Sequence, residues 1–164
     1  MGLVLGIYSD PKLASEAEGV ADGLCKLFPR LTVMLLGERA VPAAAWDTFL
    51  AQYDAFGILG LMAEPQESAA VLWLVEGDLG DSRHRGLFGA AQGRRAVVSA
   101  ARLPDAGALV KEAGHEVGHM LGLGHCSGAC LMRPAKTAGE VQSKAGAFCP
   151  ACSEEINRAT GEQG

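Results

Sequence analysis

Eleven residues, His115-Glu116-Val117-Gly118-His119-Met120-Leu121-Gly122-Leu123-Gly124-His125, hold three of the four histidines of this 164-residue chain. On a helix, His115 and His119 project from one face a turn apart, and two imidazoles so placed can grip one Zn²⁺. Glu116, beside the first of them, is where a carboxylate reaches a water activated by that metal and takes its proton. Gly122 stands where the helix must stop, because glycine enters the left-handed conformation of a C-terminal cap at little steric cost. The turn then returns His125 as a third ligand. The fourth position stays open, as in a catalytic rather than a structural zinc site. The plainer alternative makes His115 and His119 ordinary helix histidines. His84, between Arg83 and Arg85, reads as a solvated loop residue.

The cysteines form a second constellation. Cys126, Cys130, Cys149 and Cys152 make two close pairs separated by a loop. C-x₃-C…C-x₂-C is a structural-zinc spacing in which four thiolates saturate a tetrahedral site. The alternative is two disulfides, which a chain without a secretory signal disfavours. Cys149 and Cys152 fall at the start of a last helix, Cys152–Ala159, where backbone N–H groups favour thiolate. Cys25, after Leu24 on an apolar helix face, reads as a small buried hydrophobe. Because His125 and Cys126 are adjacent, with Cα atoms about 3.8 Å apart, the two metals should lie within roughly 8–13 Å of each other. The cysteine site would then brace the loop that presents His125.

H-E-x-x-H-x-x-G-x-x-H resembles the metzincin clan of zinc metalloproteases. His125-Cys126, Cys130-Leu131-Met132 and Cys149-x-x-Cys152 narrow the resemblance to the archaemetzincins, strongly over the second half of the chain and loosely through Phe88-Gly89 and Val97-Val98-Ser99. The first cysteine gap and the Met132-to-Cys149 gap are each one residue shorter than that family's pattern. The resemblance implies a peptidase with two zinc ions per chain: a catalytic one on His115, His119 and His125, and a structural one on the four cysteines. It implies that Glu116 is the general base and that Met132 lies in a turn that floors the metal. It also implies a rim strand antiparallel to its neighbours, for which Gly86–Ala90 is the candidate; an ordinary edge strand is the alternative. Tyr8 and Tyr53 are too far upstream to supply the tyrosine ligand of some clan members. Arg133 and Lys136 read as surface loop charges rather than oxyanion stabilisers.

The elements that must position these residues follow from periodicity. Leu3–Tyr8 reads as a first strand. Asp10 caps a helix with Pro11 in its first turn; Leu13, Ala14, Ala17, Val20, Ala21, Leu24, Cys25 and Phe28 form its apolar face, and Pro29 ends it. Leu31–Leu36 reads as a strand. Pro42 to Met62 reads as a second helix, with a break near Gly57–Gly60. Val71–Val75 is a continuously apolar strand suited to a sheet covered on both faces. Arg95–Ala100 is a further strand, and Pro104–Leu123 is the metal-bearing helix. The alternation predicts an α/β fold with a mixed, metzincin-like sheet. One domain, 1–164, is expected: an N-terminal subdomain (1–122) and a small C-terminal subdomain (123–164) with the third histidine, the turn methionine and the four-cysteine zinc site.

Net charge of −5 without a basic cluster argues against nucleic-acid binding. Arg83-His84-Arg85 and Arg94-Arg95 read as solvated loop charges. No apolar run reaches membrane-spanning length, and Met1–Tyr8 lacks the basic start of a signal peptide, so a cytoplasmic protein is expected. Three functions compete: a zinc peptidase acting on peptides or proteins, a metal-dependent endoribonuclease of H-x-x-x-H-x-x-G-x-x-H type, and a latent zinc-stabilised binding module. Glu116, the cysteines and the negative charge disfavour the second, and Glu116 favours the first over the third. Oligomeric state is not legible in the sequence.

Overall fold

The computed structural model describes residues 2–66 and 69–161; Met1, residues 67–68 and residues 162–164 of the expected domain lie outside the described residues. A five-stranded sheet forms the centre. Its strands are β1 (Val4–Ser9), β2 (Thr32–Glu38), β5 (Ala69–Val75), β8 (Gly89–Gln92) and β9 (Arg95–Ser99), in the order β2-β1-β5-β9-β8. All pair in parallel except β8, which runs antiparallel to β9 and forms one edge. β1, β5 and β9 lie inside, and Leu72, Trp73, Leu74 and Val75 are fully buried, as a strand covered on both faces requires.

Helices α1 (Ala14–Leu27) and α3 (Ala106–Met120) cover one face, burying Leu24, Leu109, Ala113 and Val117 against Leu5, Ile7, Leu72 and Val98. The other face is covered by α2 (Ala55–Leu61) and part of a four-stranded sheet. That sheet orders β3 (Trp46–Asp47), β4 (Gln52–Asp54), β6 (Leu79–Gly80) and β7 (Arg85–Leu87) as β3-β4-β6-β7. Two short helices, α4 (Ala138–Ser143) and α5 (Pro150–Gly161), complete the chain. No helix among the described residues is long and apolar enough to cross a membrane.

Four sequence expectations are corrected. The helix expected over Pro42–Met62 forms only at Ala55–Leu61 and continues through Gly57 and Gly60. Before it, Asp47 Oδ1 accepts the backbone N–H groups of Phe49 and Leu50 at 2.9 and 3.0 Å, and Ala51 takes a positive φ of 53°. A side chain that captures nearby N–H groups stabilises a turn in place of a helix. The strand expected over Gly86–Ala90 is two strands, with β7 in the small sheet and β8 in the large one. Cys25 is exposed: the buried stripe of α1 is Ala17, Val20 and Leu24, and one further residue rotates the side chain about 100° away. Arg95 is not a solvated loop residue. It opens β9, donates to the carbonyls of Leu59 and Met62 at the end of α2, and pairs with Glu64 at 3.2 Å. His84 is exposed and bonded to Asp81, as a loop residue should be.

Candidate metal centre

Helix α3 begins where the Asp105 carboxylate accepts the Ala108 N–H at 2.8 Å. It ends as a glycine cap: Gly122 has φ +95°, and the Leu123 N–H donates to Gly118 O at 3.0 Å. This is the closure that satisfies the last carbonyls of a helix through a left-handed residue. The cap carries the chain back, so that His125 stands 5.3 Å from His115 and 4.9 Å from His119, measured between ring centroids. One ring nitrogen from each of the three histidines lies within 4.8 Å of the other two.

Both helical histidines are oriented from behind. His115 Nδ1 lies 3.0 Å from Leu131 O, and His119 Nδ1 lies 2.8 Å from Leu123 O. A carbonyl only accepts, so each Nδ1 carries the proton and each neutral ring presents Nε2 as a bare lone pair. The two Nε2 atoms face each other at 3.1 Å. Two lone pairs so close repel unless a cation lies between them, and the donor set therefore fits a zinc ion. Burial pushes the His115 pKa down to about 3, opposed by the Leu131 hydrogen bond and aided by Lys144. Burial also lowers that of His119. Both rings are thus neutral and ready to bind metal near pH 7.

Glu116 is 5% exposed. Burial first, and then the neighbouring Glu112, push its pKa up to about 8 in the metal-free protein, while Lys144 works against them. Its side chain occupies space that only glycine leaves open in β8: a Cβ at Gly89 would come 2.8 Å from Glu116 Cγ and 3.0 Å from the Val97 carbonyl. Gly89→Ala should therefore displace Glu116 and lower turnover by up to about 100-fold, since a misplacement of about 1 Å can cost that much. Steady-state kinetics beside a thermal melt check this; an unchanged rate would show that Glu116 tolerates the shift.

The raised Glu116 pKa has a sign that can be tested. Between the unfolded value of 4.5 and the folded value of about 8, the folded state holds a proton that the unfolded chain releases. Stability contributed by that proton is present at low pH and lost as pH rises through this window. Metal-stripped protein should lose melting temperature between pH 6.5 and 8, and Glu116→Gln should flatten that slope.

Met132 is fully buried and packs on α3 at Gly118, which has no side chain to hold its sulfur away. The four cysteine sulfurs lie within 4.8 Å of one another, and all are free thiols. Backbone N–H groups of Met132 and Cys149 point at Cys130 Sγ at 3.4 and 3.3 Å. Hydrogen bonds from Cys152, backbone first, hold the Cys149 pKa down to about 7. Donors aimed at sulfur stabilise thiolate, so these residues also fit zinc.

Two buried charges beside the site escaped the sequence reading. Lys144, just after α4, and Glu112, on α3, are 8% and 6% exposed. Lys144 Nζ lies 3.5 Å from Glu112 Oε2, 3.4 Å from Arg133 O and 3.5 Å from His115 Nδ1. Burial raises the Glu112 pKa and the Lys144 charge opposes the rise. Glu112 did leave a signal, a carboxylate within the apolar stripe of Leu109 and Ala113; Gly89 was read only as part of the candidate rim strand, and Lys144 left no signal.

A model of peptidase family M54 matches residues 107–158. The archaemetzincin of Archaeoglobus fulgidus is 33% identical over 160 residues, covering 92% of this chain and 98% of its own. The chain belongs to the archaemetzincin family. A second archaemetzincin, from Nanoarchaeum equitans, is 36% identical over 120 residues, covering 73% of this chain and 71% of its own. Among solved structures, the A. fulgidus archaemetzincin superposes with a TM-score of 0.86 at 29% identity, over 93% of this chain and 99% of that one. The Methanopyrus kandleri archaemetzincin gives 0.84 at 31% identity, over 96% and 95%. As an archaemetzincin of a peptidase family, the protein is a zinc-dependent metallopeptidase, an enzyme whose substrates are peptides or proteins.

Proposed function

We propose that this archaemetzincin hydrolyses peptide bonds with Glu116 as general base beside a catalytic zinc held by His115, His119 and His125. One observation carries the proposal: two histidines locked by backbone carbonyls turn their free Nε2 atoms toward each other at 3.1 Å, beside a buried carboxylate. Zinc held there supplies Lewis-acid activation of a water and of the scissile carbonyl. Glu116 takes the proton of the attacking water on its carboxylate and returns it to the leaving amine nitrogen. Leu131 O and Leu123 O hold the two imidazoles in the tautomer that can ligate. Met132 is the turn methionine of a metzincin, an apolar, polarizable floor without a metal bond of its own. Gly122 delivers His125. The free edge of β8 offers N–H and C=O groups to an extended substrate, as the edge of a sheet can.

Cys126, Cys130, Cys149 and Cys152 bind a second, structural zinc, giving two per chain. Residues 1–164 act as one domain, with subdomains 1–122 and 123–164. Thiolate ligands suit a reducing compartment, and we place the protein in the cytoplasm. The test is mass spectrometry of a diverse peptide mixture incubated with zinc-loaded protein, together with metal analysis. Discrete, chelator-sensitive cuts and two zinc per chain are expected; no cuts with both sites loaded would overturn the reading.

Cys126 follows His125 directly, and its N–H donates to Met132 O at 3.0 Å. Cys126→Ala should therefore lower occupancy of the histidine site as well as the cysteine site. Metal analysis that finds the histidine site fully loaded in this variant would refute the coupling.

A further inference from the structure

Beside the histidine cluster lies a cleft of about 710 Å³ that the proposed chemistry leaves unused, lined by Cys126, Arg133, Lys136, Glu140 and Lys144 among others. Two residues tie it to the histidines, one along the chain to His125 and one at the rear of the His115 ring. Cys126 follows His125, and Lys144 Nζ lies 3.5 Å from His115 Nδ1. Successive residues of an extended peptide are spaced about 3.3 Å apart. The chain link from Cys126 to His125 leaves this cleft within a few residues' span of a peptide whose scissile carbonyl sits at the histidines.

The lining is cationic in a chain whose net charge is −5. Glu140, the one carboxylate among the lining residues, is already committed: its Oε2 accepts the backbone N–H groups of Lys136 at 2.6 Å and Thr137 at 3.3 Å, in the capping box of α4. Lys144 is answered from behind by Glu112. Arg133 and Lys136 are exposed and make no ion pair among the described residues. A guanidinium takes a carboxylate in a two-pronged hydrogen bond, and Lys136 lines the same cleft with a second positive charge.

We propose that this cleft is a specificity pocket for a carboxylate, seated against Arg133 and Lys136. The carboxylate comes either from an Asp or Glu side chain flanking the scissile bond or from the substrate's own C-terminus. The proposal rests on the peptidase reading of the adjoining site.

The test uses non-cleavable peptide hydroxamates on zinc-loaded protein, with affinity read by calorimetry so that turnover is not needed. One series carries Glu, Gln or Lys beside the hydroxamate; a second carries a free or an amidated C-terminus. A tenfold or greater preference for Glu over Gln supports a side-chain pocket. The same preference for the free over the amidated terminus supports a pocket for chain ends. Arg133→Glu, or Lys136→Glu should the first variant fold poorly, should abolish that preference and favour Lys. Equal binding within both series overturns the pocket and leaves the peptidase reading standing. No hydroxamate binding, with metal analysis showing the histidine site loaded, overturns both.

Discussion

Glu116→Gln should keep its zinc and lose peptide cleavage by about 10²- to 10⁴-fold, the usual contribution of a general base. Glutamine fills the same space, so the fit against Gly89 and the packing of α3 are retained. The metal should stay because the substitution spares all three histidines and the carbonyls that orient them. What disappears is the carboxylate proposed to take the proton. The raised pKa of Glu116, about 8 without metal, belongs to an uncompensated buried carboxyl. A divalent cation beside it favours the ionised form that a base requires. The measurement is the rate of peptide cleavage by mass spectrometry, with wild type and variant at matched metal content. A variant that cleaves at the wild-type rate would assign the proton transfer to another group.

Lys144→Met should destabilise the fold by about 3–5 kcal/mol, the range seen when one partner of a buried ion pair is removed. Methionine replaces the stem of the lysine but leaves Glu112 buried without its counter-charge. The loss should be larger at high pH, where Glu112 is forced to ionise, and smaller at low pH, where protonation relieves it. Glu112→Gln combined with Lys144→Met should recover most of the stability, because replacing both members of a buried pair is often neutral. Chemical denaturation of the two variants at several pH values checks this. A double variant as unstable as the single one would show that Lys144 acts through Arg133 O and the turn beneath the histidines rather than through Glu112.

The proposed zinc site was legible because it is local. His115, Glu116, His119 and His125 need only one helix, one glycine cap and one turn, and each of these has a sequence signature. The cysteine pairs were legible for the same reason, as spacing within short loops. Gly89, Glu112 and Lys144 reach the site by tertiary packing of β8, α3 and the segment after α4, so no local spacing announces their meeting. The stretch 42–62 misled in the opposite way. Its Ala and Leu content favours helix, but Asp47 closes a turn on the N–H groups of Phe49 and Leu50, and that local competition outweighed propensity. Cys25 shows how narrow a buried stripe is, since Leu24 beside it is fully covered.

The large sheet has two unequal margins. The cleft side ends on β8, four residues long. The far side ends on β2, seven residues long, with Met34, Leu35 and Leu36 exposed by 51%, 48% and 42% and Glu38 as its one charge. Long, apolar sheet margins are where crowded molecules stick to one another. Two irregularities blunt this one: Gly37 adopts φ +104°, and the pairing with β1 slips in register at Ile7/Tyr8, which twists the strand's end away from a flat template. Colloidal instability of this enzyme at high concentration should therefore start at Thr32–Leu36, on the side of the molecule away from its chemistry, and precipitation would say nothing about the state of the cleft.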